Sequence, residues 1–420
     1  MRPGVDVFSR AQPAPVTIPT DTGVAFVIGP TDPAVITSTV TLTHSLTEFV
    51  ALCGDRDAAG VAVTYDAADV FFREGGSQLY VASTVAPSVG GLAAQTAKGK
   101  TSKTDDAAAT QSDAEVAPQL ADTGISSALA ALTKDLGPGQ VFIADLALAT
   151  VADNQAALTA HCSTNNRVAL LSTADGNAAA LEAAATALHA DQNARYAAVF
   201  APSVIVPGVV PGTTRTVPWA AIQAGIIARN DGGGLNANKA AAGDDGTSLY
   251  ALDLTATYTD TEYAALNVAG CNMARRIYGV IENYGYRSCA DPATSQSDWL
   301  EFGNCRLNMA ICAEADAIGE HYVFSQIDGR GVTIADFGSE LSAMLVPFYT
   351  GGSLFGATAA EAFDVNVSAA VNTPQTIANG ELHAVISVRM SHMAEWVVIE
   401  IVKVATTQAL ASSVPAALAA

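Results

Sequence analysis

The residues most suggestive of chemistry lie in Ala94-Gln-Thr-Ala-Lys-Gly99-Lys100-Thr101, which fits a loose phosphate-loop pattern with alanine in place of the first glycine. In such a loop backbone amides cradle the phosphates, the lysine reaches the outer ones and the threonine hydroxyl holds magnesium. A partner is in sight: Val141-Phe-Ile-Ala-Asp145 reads as a strand ending on a metal-binding aspartate. Lys100 and Asp145 therefore define one function class, a nucleotide-binding, P-loop-like ATPase. Spacing argues against it. A phosphate loop needs a strand directly before it and a helix directly after it, so that amides and helix dipole meet the phosphates. Here the preceding strand ends near Val85, and Ser102 to Pro118 has no helical hydrophobic period.

Other catalytic signatures are missing. The chain has no HExxH, no GxSxG elbow and no GxGxxG after a strand. Cys53, Cys162, Cys271, Cys289, Cys305 and Cys312 form no C-x-x-C pair, and they read as small buried hydrophobes in a reducing compartment. The six histidines are dispersed. His161 and His189 sit at helix ends, where an imidazolium favours the dipole. No metal set and no cofactor follow from these residues. Arg275, Arg276, Arg287, Arg306 and Arg330 stand out in so acidic a chain. Two readings apply to them: separate salt bridges on a solvated face, or a basic patch (Arg275, Arg276, Arg306, Arg330) turned towards an acidic partner.

The elements that would position these residues span 420 positions, half of them hydrophobic, enough for two or three domains. A net charge of −21 repels phosphate backbones, so direct nucleic-acid binding is not expected. MRPGVDVFSR lacks the apolar core of a signal peptide, and no uncharged apolar run is long enough to span a bilayer; membrane insertion is not expected. Residues 1–20 hold four prolines and read as an extended arm, with Val5, Val7, Val16 and Ile18 alternating as a strand added to another sheet would. A strand at Gly23 to Gly29, a helix from Ser45 to Cys53 with a Ser45/Glu48 capping box, a helix from Ala67 to Glu74 and a strand from Leu79 to Val85 make an N-terminal α/β portion, 21–92, packing on the middle domain. Residues 93–119 read as a polar surface insertion.

From 120 to 290 helix and strand alternate. Helices 124–134, 153–163 and 176–190 precede short apolar strands at Val141 to Ala144, Val168 to Leu171 and Tyr196 to Phe200. This spacing predicts a mixed α/β, doubly wound middle domain with a parallel sheet. A broken strand at 203–212, a helix from Pro218 to Arg229, a segment opened by Thr261 and Glu262, and a strand from Met273 to Val280 complete it. Residues 291–404 read as an α+β C-terminal domain. It has a long helix from Asp298 to Ile318 and another from Asp336 towards Tyr349, interrupted late by Pro347. After these come three strands: one with Phe363, Val365 and Val367 on one face, then His383 to Met390 and Glu395 to Val404. Residues 405–420 form a short Ala/Ser/Thr-rich C-terminal arm.

The segments LFGATAAEAFDV, TIANGELHAVISV and AEWVVIEI, in that order, resemble the C-terminal domain of contractile-tail sheath proteins. RPGVDV with TGVAFVIGP, VFFREGGSQLYVASTV, YAAVFAPSVIVP with RTVPWAAIQAGIIARND, and TDTEYAALNVAGCNMARRIYG are similar to earlier parts of the same family, so the resemblance runs along nearly the whole chain. It implies a middle domain of subtilisin-like fold without proteolysis, and a non-enzymatic subunit that forms a homo-oligomeric helical stack of hexameric rings around a tail tube protein. Baseplate and tail terminator proteins would be further partners, and the location a virion tail assembled in the host cytoplasm. Contraction would drive the tube through the target envelope. On this reading Val5, Val7, Val16 and Ile18 are donated strands, Val385, Ile386, Val388, Val397, Ile399 and Ile401 an accepting sheet, and the arginines a patch facing the tube or an interface. A bacterial injection device of the same family is the variant reading.

Overall fold

The computed structural model describes residues 21–87, 123–234 and 236–397, together with 399, 401 and 403. Phosphate-loop residues 94–101 and the arm residues 1–20 and 405–420 lie outside this set.

Short runs of β-branched and small apolar residues form the centre. The strands β1 (Ala25–Gly29), β3 (Leu79–Ser83), β4 (Gly139–Ile143), β5 (Arg167–Ser172), β6 (Ala197–Ala201) and β10 (Cys271–Ile277) lie parallel, in the order β3-β1-β4-β5-β6-β10. An antiparallel strand closes each edge: β2 (Val40–Thr43) beside β3, and β11 (Val280–Asn283) beside β10. Alternate residues feed opposite cores, which is why these strands are mostly apolar. Ala25, Val27, Phe142 and Leu170 face one core; Phe26, Ile28, Val141 and Leu171 face the other. The first core is covered by α1 (Leu46–Cys53), α2 (Ala62–Arg73) and α7 (Trp219–Gly232). On the opposite side lie α3 (Thr123–Ala131), α5 (Ala152–Thr164), α6 (Ala178–Leu188) and α8 (Asp260–Val268), while the four-residue α4 (Leu146–Ala149) comes directly after β4. The doubly wound expectation thus holds. The N-terminal portion shares one sheet with the strands that follow it, β1 sitting between β3 and β4.

Helix α7 is buried on all sides from Trp219 to Ala228, and only a glycine lets α2 approach it. A Cβ on Gly225 would stand 2.6 Å from Glu74 Cβ and 2.8 Å from the Phe71 carbonyl oxygen. Beside this pair, β7 (Val204–Pro207), β8 (Thr214–Val217) and β9 (Asp253–Leu254) make a small antiparallel sheet. Arg215 of β8 reaches Asp66 and Asp69 on α2. Those two carboxylates break the apolar period of α2, which is why the sequence suggests a start at Ala67 and the helix begins at Ala62.

The C-terminal unit hangs on α9 (Phe302–Tyr322), which starts four residues later than expected, after a 3₁₀ turn at Ser297–Trp299. Phe302, Cys305 and Met309 enter the first sheet core, while Leu307 and Ile311 enter a third core. That third core also receives Met344 and Leu345 from α10 (Val332–Thr350), Ala362 from α11 (Ala359–Ala362), and the inner faces of β12 (Phe363–Asn366) and β13 (Val385–Val388). A further helix, α12 (Pro374–Ala378), is capped by Thr373 in the connection between the two strands.

Candidate assembly interface

Strands β12 and β13 pair antiparallel, Phe363 opposite Val388 and Val365 opposite Ile386. Their alternation puts Phe363, Val365, Ile386 and Val388 on the third core and leaves Asp364, Val385 and Ser387 outside. Val367 continues the inner face: Gly338 of α10 has no side chain because a Cβ there would meet Val367 Cγ2 at 2.7 Å. Among the described residues neither strand has a second neighbour. A groove of about 610 Å³ is lined by β12 and the residues after it, by the start of α10 and by α12. Its lining includes Asp364 to Ala369, Ile334, Ala335 and Ile377. Asn372 holds the turn behind it, donating to the Val367 and His383 carbonyls and accepting from the His383 amide.

Beyond β13 the chain is tied to the body over a short span. The Arg389 amide donates to the Ala362 carbonyl, and the Ser391 amide to that of Ser353. His392 Nδ1 lies 2.6 Å from Glu301 Oε1, the Met393 amide donates to Glu301 Oε2, and Arg287 donates twice to Glu395, from Nε at 2.9 Å and Nη2 at 2.5 Å. Past Glu395 no such tie holds the described residues. Trp396, Val397, Ile399 and Ile401 are 84%, 74%, 79% and 91% exposed. The sequence suggests a strand from Glu395 to Val404 paired within its own sheet; the described residues of that stretch carry no strand pairing. Isolated exposed apolar residues are ordinary, but such a row marks an interaction surface. The ladder groups of this segment and of the β12–β13 edges are of the kind that strand addition satisfies.

The arginines do not form a patch. Arg306 is 1% exposed, with Nη2 2.5 Å from Asp231 Oδ2 and Nη1 donating to the Ala237 carbonyl, so it faces no partner. It joins α9 to α7, because a guanidinium in a core survives only with a carboxylate and carbonyls around it. Arg275 pairs with Asp260 across the rings of Tyr263 and Tyr284, Arg276 with Asp253, and Arg330 with Asp328. Each is a separate ion pair.

The supposed metal ligand Asp145 stands at the end of β4 as expected, but its Oδ1 accepts from the Ala147 amide and caps α4. His161 is not an imidazolium at a helix end: burial and the adjacent Arg167 charge push it down to about 4, so it is neutral and lies 3.0 Å from Arg167 Nη1. His189 Nε2 lies 3.1 Å from the Ala269 carbonyl. Five cysteines are buried and Cys312 is half-buried; burial pushes Cys53, Cys271 and Cys305 up to about 12, where thiolate chemistry is suppressed. Among the described residues no group of His, Cys, Asp and Glu could hold a metal, and no helix is long and apolar enough to cross a membrane.

The tie through Glu301, His392 and Glu395 was not legible in the sequence. Their one sequence signal is the pairing of His392 and Glu395 just ahead of the terminal apolar run, and nothing in spacing ties them to Arg287 and Glu301.

No protein-family model matches the chain, and no curated protein does. Solved structures do. A chain of the anti-feeding prophage helical sheath in its contracted state superposes with a TM-score of 0.66 at 18% identity, over 96% of this chain and 99% of that one. The sheath complex of an extracellular contractile injection system (PVC), also contracted, gives 0.66 at 15% identity over 97% and 99%. A sheath tail protein from Listeria innocua gives 0.56 at 9% identity over 89% and 96%. The likeness to contractile sheath proteins read from the sequence holds for the fold across nearly the full length of each chain.

Proposed function

We propose that this chain, which has the fold of contractile sheath proteins, is a structural, non-enzymatic subunit of a contractile tail sheath. It polymerises as stacked hexameric rings around a tail tube and contracts to drive the tube through a target envelope. The observation that carries this reading is the row of exposed apolar side chains after Glu395, together with a two-stranded sheet whose strands have no further neighbour among the described residues. A strand on one subunit and an edge on another make a head-to-tail contact, and such a contact generates a helix when it does not close into a ring. Val385, Ile386 and Val388 belong to the accepting sheet. Val397, Ile399 and Ile401 enter a sheet only when a second copy supplies the partner strand, and Val5, Val7, Val16 and Ile18 are a second donated strand. The tube, baseplate and terminator proteins are the other partners. Contraction releases packing energy held in a kinetically trapped extended stack.

The test is assembly of the purified full chain at rising concentration, with sedimentation and negative-stain microscopy as readouts. Sheath-like tubes are expected. Deletion of residues 1–20, or truncation after Glu395, should abolish them, and tubes that persist in both would contradict the strand-donation model. A full chain that stays monodisperse under every crowding and salt condition overturns the function itself. Calorimetry with Mg-ATP on the wild type and on Lys100→Ala should show no heat in either; heat lost in the variant would restore the nucleotide-binding reading.

A further inference from the structure

The terminal apolar segment leaves the body at a built point. Arg287 and Glu301 come from different parts of the chain, one after β11 and one just before α9, and an antiparallel backbone bridge sets them opposite each other. Directly opposed residues in such a pair carry their side chains side by side. The result is a cation and an anion on one surface. The departing chain presents the complementary order: His392 and the Met393 amide to Glu301, then Glu395 to Arg287. Asn304 Nδ2 donates to the same Glu301 oxygen that the Met393 amide reaches, which fixes that carboxylate in place. The Arg287 amide, in turn, donates to Asn272 Oδ1. Between these two contacts, Met393 packs on the first sheet core.

We propose that Arg287 and Glu301 form a clasp that fixes the exit direction of the C-terminal segment, so that the apolar residues from Trp396 onward are delivered to a second copy of this chain. This rests on the strand-donation reading of the assembly. An isolated exposed ion pair contributes little, because holding two long side chains offsets the attraction. The clasp differs in geometry. Its arginine is bidentate and largely covered, its carboxylate accepts from backbone and side chain together, and the two side chains hold three residues within a four-residue stretch, His392, Met393 and Glu395. A strand delivered in a fixed direction loses less freedom on docking, which strengthens binding without adding a contact to the partner. Arg287 and Glu301 are therefore positioning residues: neither needs to touch the second copy.

The test is charge reversal and its rescue: Arg287→Glu alone, then Arg287→Glu combined with Glu395→Arg, each in the full chain. The Arg287 side chain spends its hydrogen bonds on Glu395 at the surface, so the single change leaves the cores intact. Two quantities are read: amide hydrogen exchange at Ser391 and Met393 below the assembly concentration, and the concentration at which the protein sediments as polymer. In Arg287→Glu, protection at those amides should fall on the order of tenfold, with the assembly concentration rising by a similar factor. The double variant should recover both. Exchange and assembly both unchanged in Arg287→Glu would overturn the clasp. Faster exchange with unchanged assembly would overturn its role in delivering the strand. If the wild type never polymerises, the assembly reading fails separately, and faster exchange in the single variant with recovery in the double still supports the clasp as what fixes the segment.

Discussion

Ile399→Ala combined with Ile401→Ala separates folding from assembly. In the free subunit these side chains are 79% and 91% exposed, so shortening them removes almost nothing that the fold holds. Surface changes of this kind alter stability by no more than about 0.5 kcal/mol. In a strand the two residues share a face, two positions apart, and would be covered together by a receiving sheet. Each substitution deletes three carbons from that buried face, a loss of about 2 kcal/mol at roughly 0.8 kcal/mol per buried carbon. One such loss raises the assembly concentration roughly thirtyfold, and two additive losses raise it on the order of a thousandfold. The assay pairs thermal unfolding of dilute subunit with sedimentation across a concentration series. The expected outcome is an unmoved unfolding midpoint and an assembly midpoint displaced by roughly two to three orders of magnitude. Assembly within about twofold of wild type would show that this face stays wet in the polymer, and the strand-donation argument would fail. A lowered unfolding midpoint would show instead that the segment is already packed on its own body.

Two further outcomes concern the body. Arg306→Met strands the buried Asp231 carboxylate, which is left with Thr22 as a side-chain donor, and should cost about 3–5 kcal/mol in urea unfolding. Adding Asp231→Leu should recover much of that, and an Arg306→Met variant as stable as wild type would refute the account of the α9–α7 joint. His161, held near 4 in the fold against about 6.5 in an unfolded chain, contributes stability fully present above pH 6.5 and lost as pH falls through 4. The denaturant midpoint of His161→Asn should therefore fall less than that of wild type between about pH 7 and pH 4.5, and parallel curves would refute the buried neutral imidazole.

Much of the fold was legible because the sheet is buried on both sides. Strands such as β4 and β5 read as apolar runs between helices, and the helix cap at Ser45 is a local signal that the structure keeps. Glu48 departs slightly from the expected box: Ser45 accepts its amide, while the carboxylate reaches back to the His44 amide instead of that of Ser45. What escaped the sequence was set by partners far along the chain. The hairpin from β10 to β11 turns on Tyr278 and Gly279, both at positive φ, and a tyrosine in that region is not a turn signal. The short α12 begins at Thr373-Pro374, a helix start easily lost in a polar loop. The arginine patch failed for a similar reason. A count of basic residues carries no information on Asp260, Asp253, Asp231 or Asp328, which neutralise them one by one.

The terminal run differs from these cases. The sequence suggests a strand there, and the described residues of the stretch carry no strand pairing. Sequence pattern reports what a segment can pair with, not which chain supplies the pairing, and only an exposed apolar face beside an open edge distinguishes the two. On the strand-donation reading the chain must stay dispersed before assembly, and the excess of acid favours that: 41 acidic against 20 basic residues repel one copy from another. Repulsion between whole surfaces is screened beyond about 8–10 Å in physiological salt, whereas apolar burial and backbone pairing act at contact. Encounters that bring only acidic surfaces together are therefore weak. On that reading an encounter that aligns strand and edge gains the apolar burial at contact, so the same charge that disperses the copies would also suppress wrong pairings of the terminal segment.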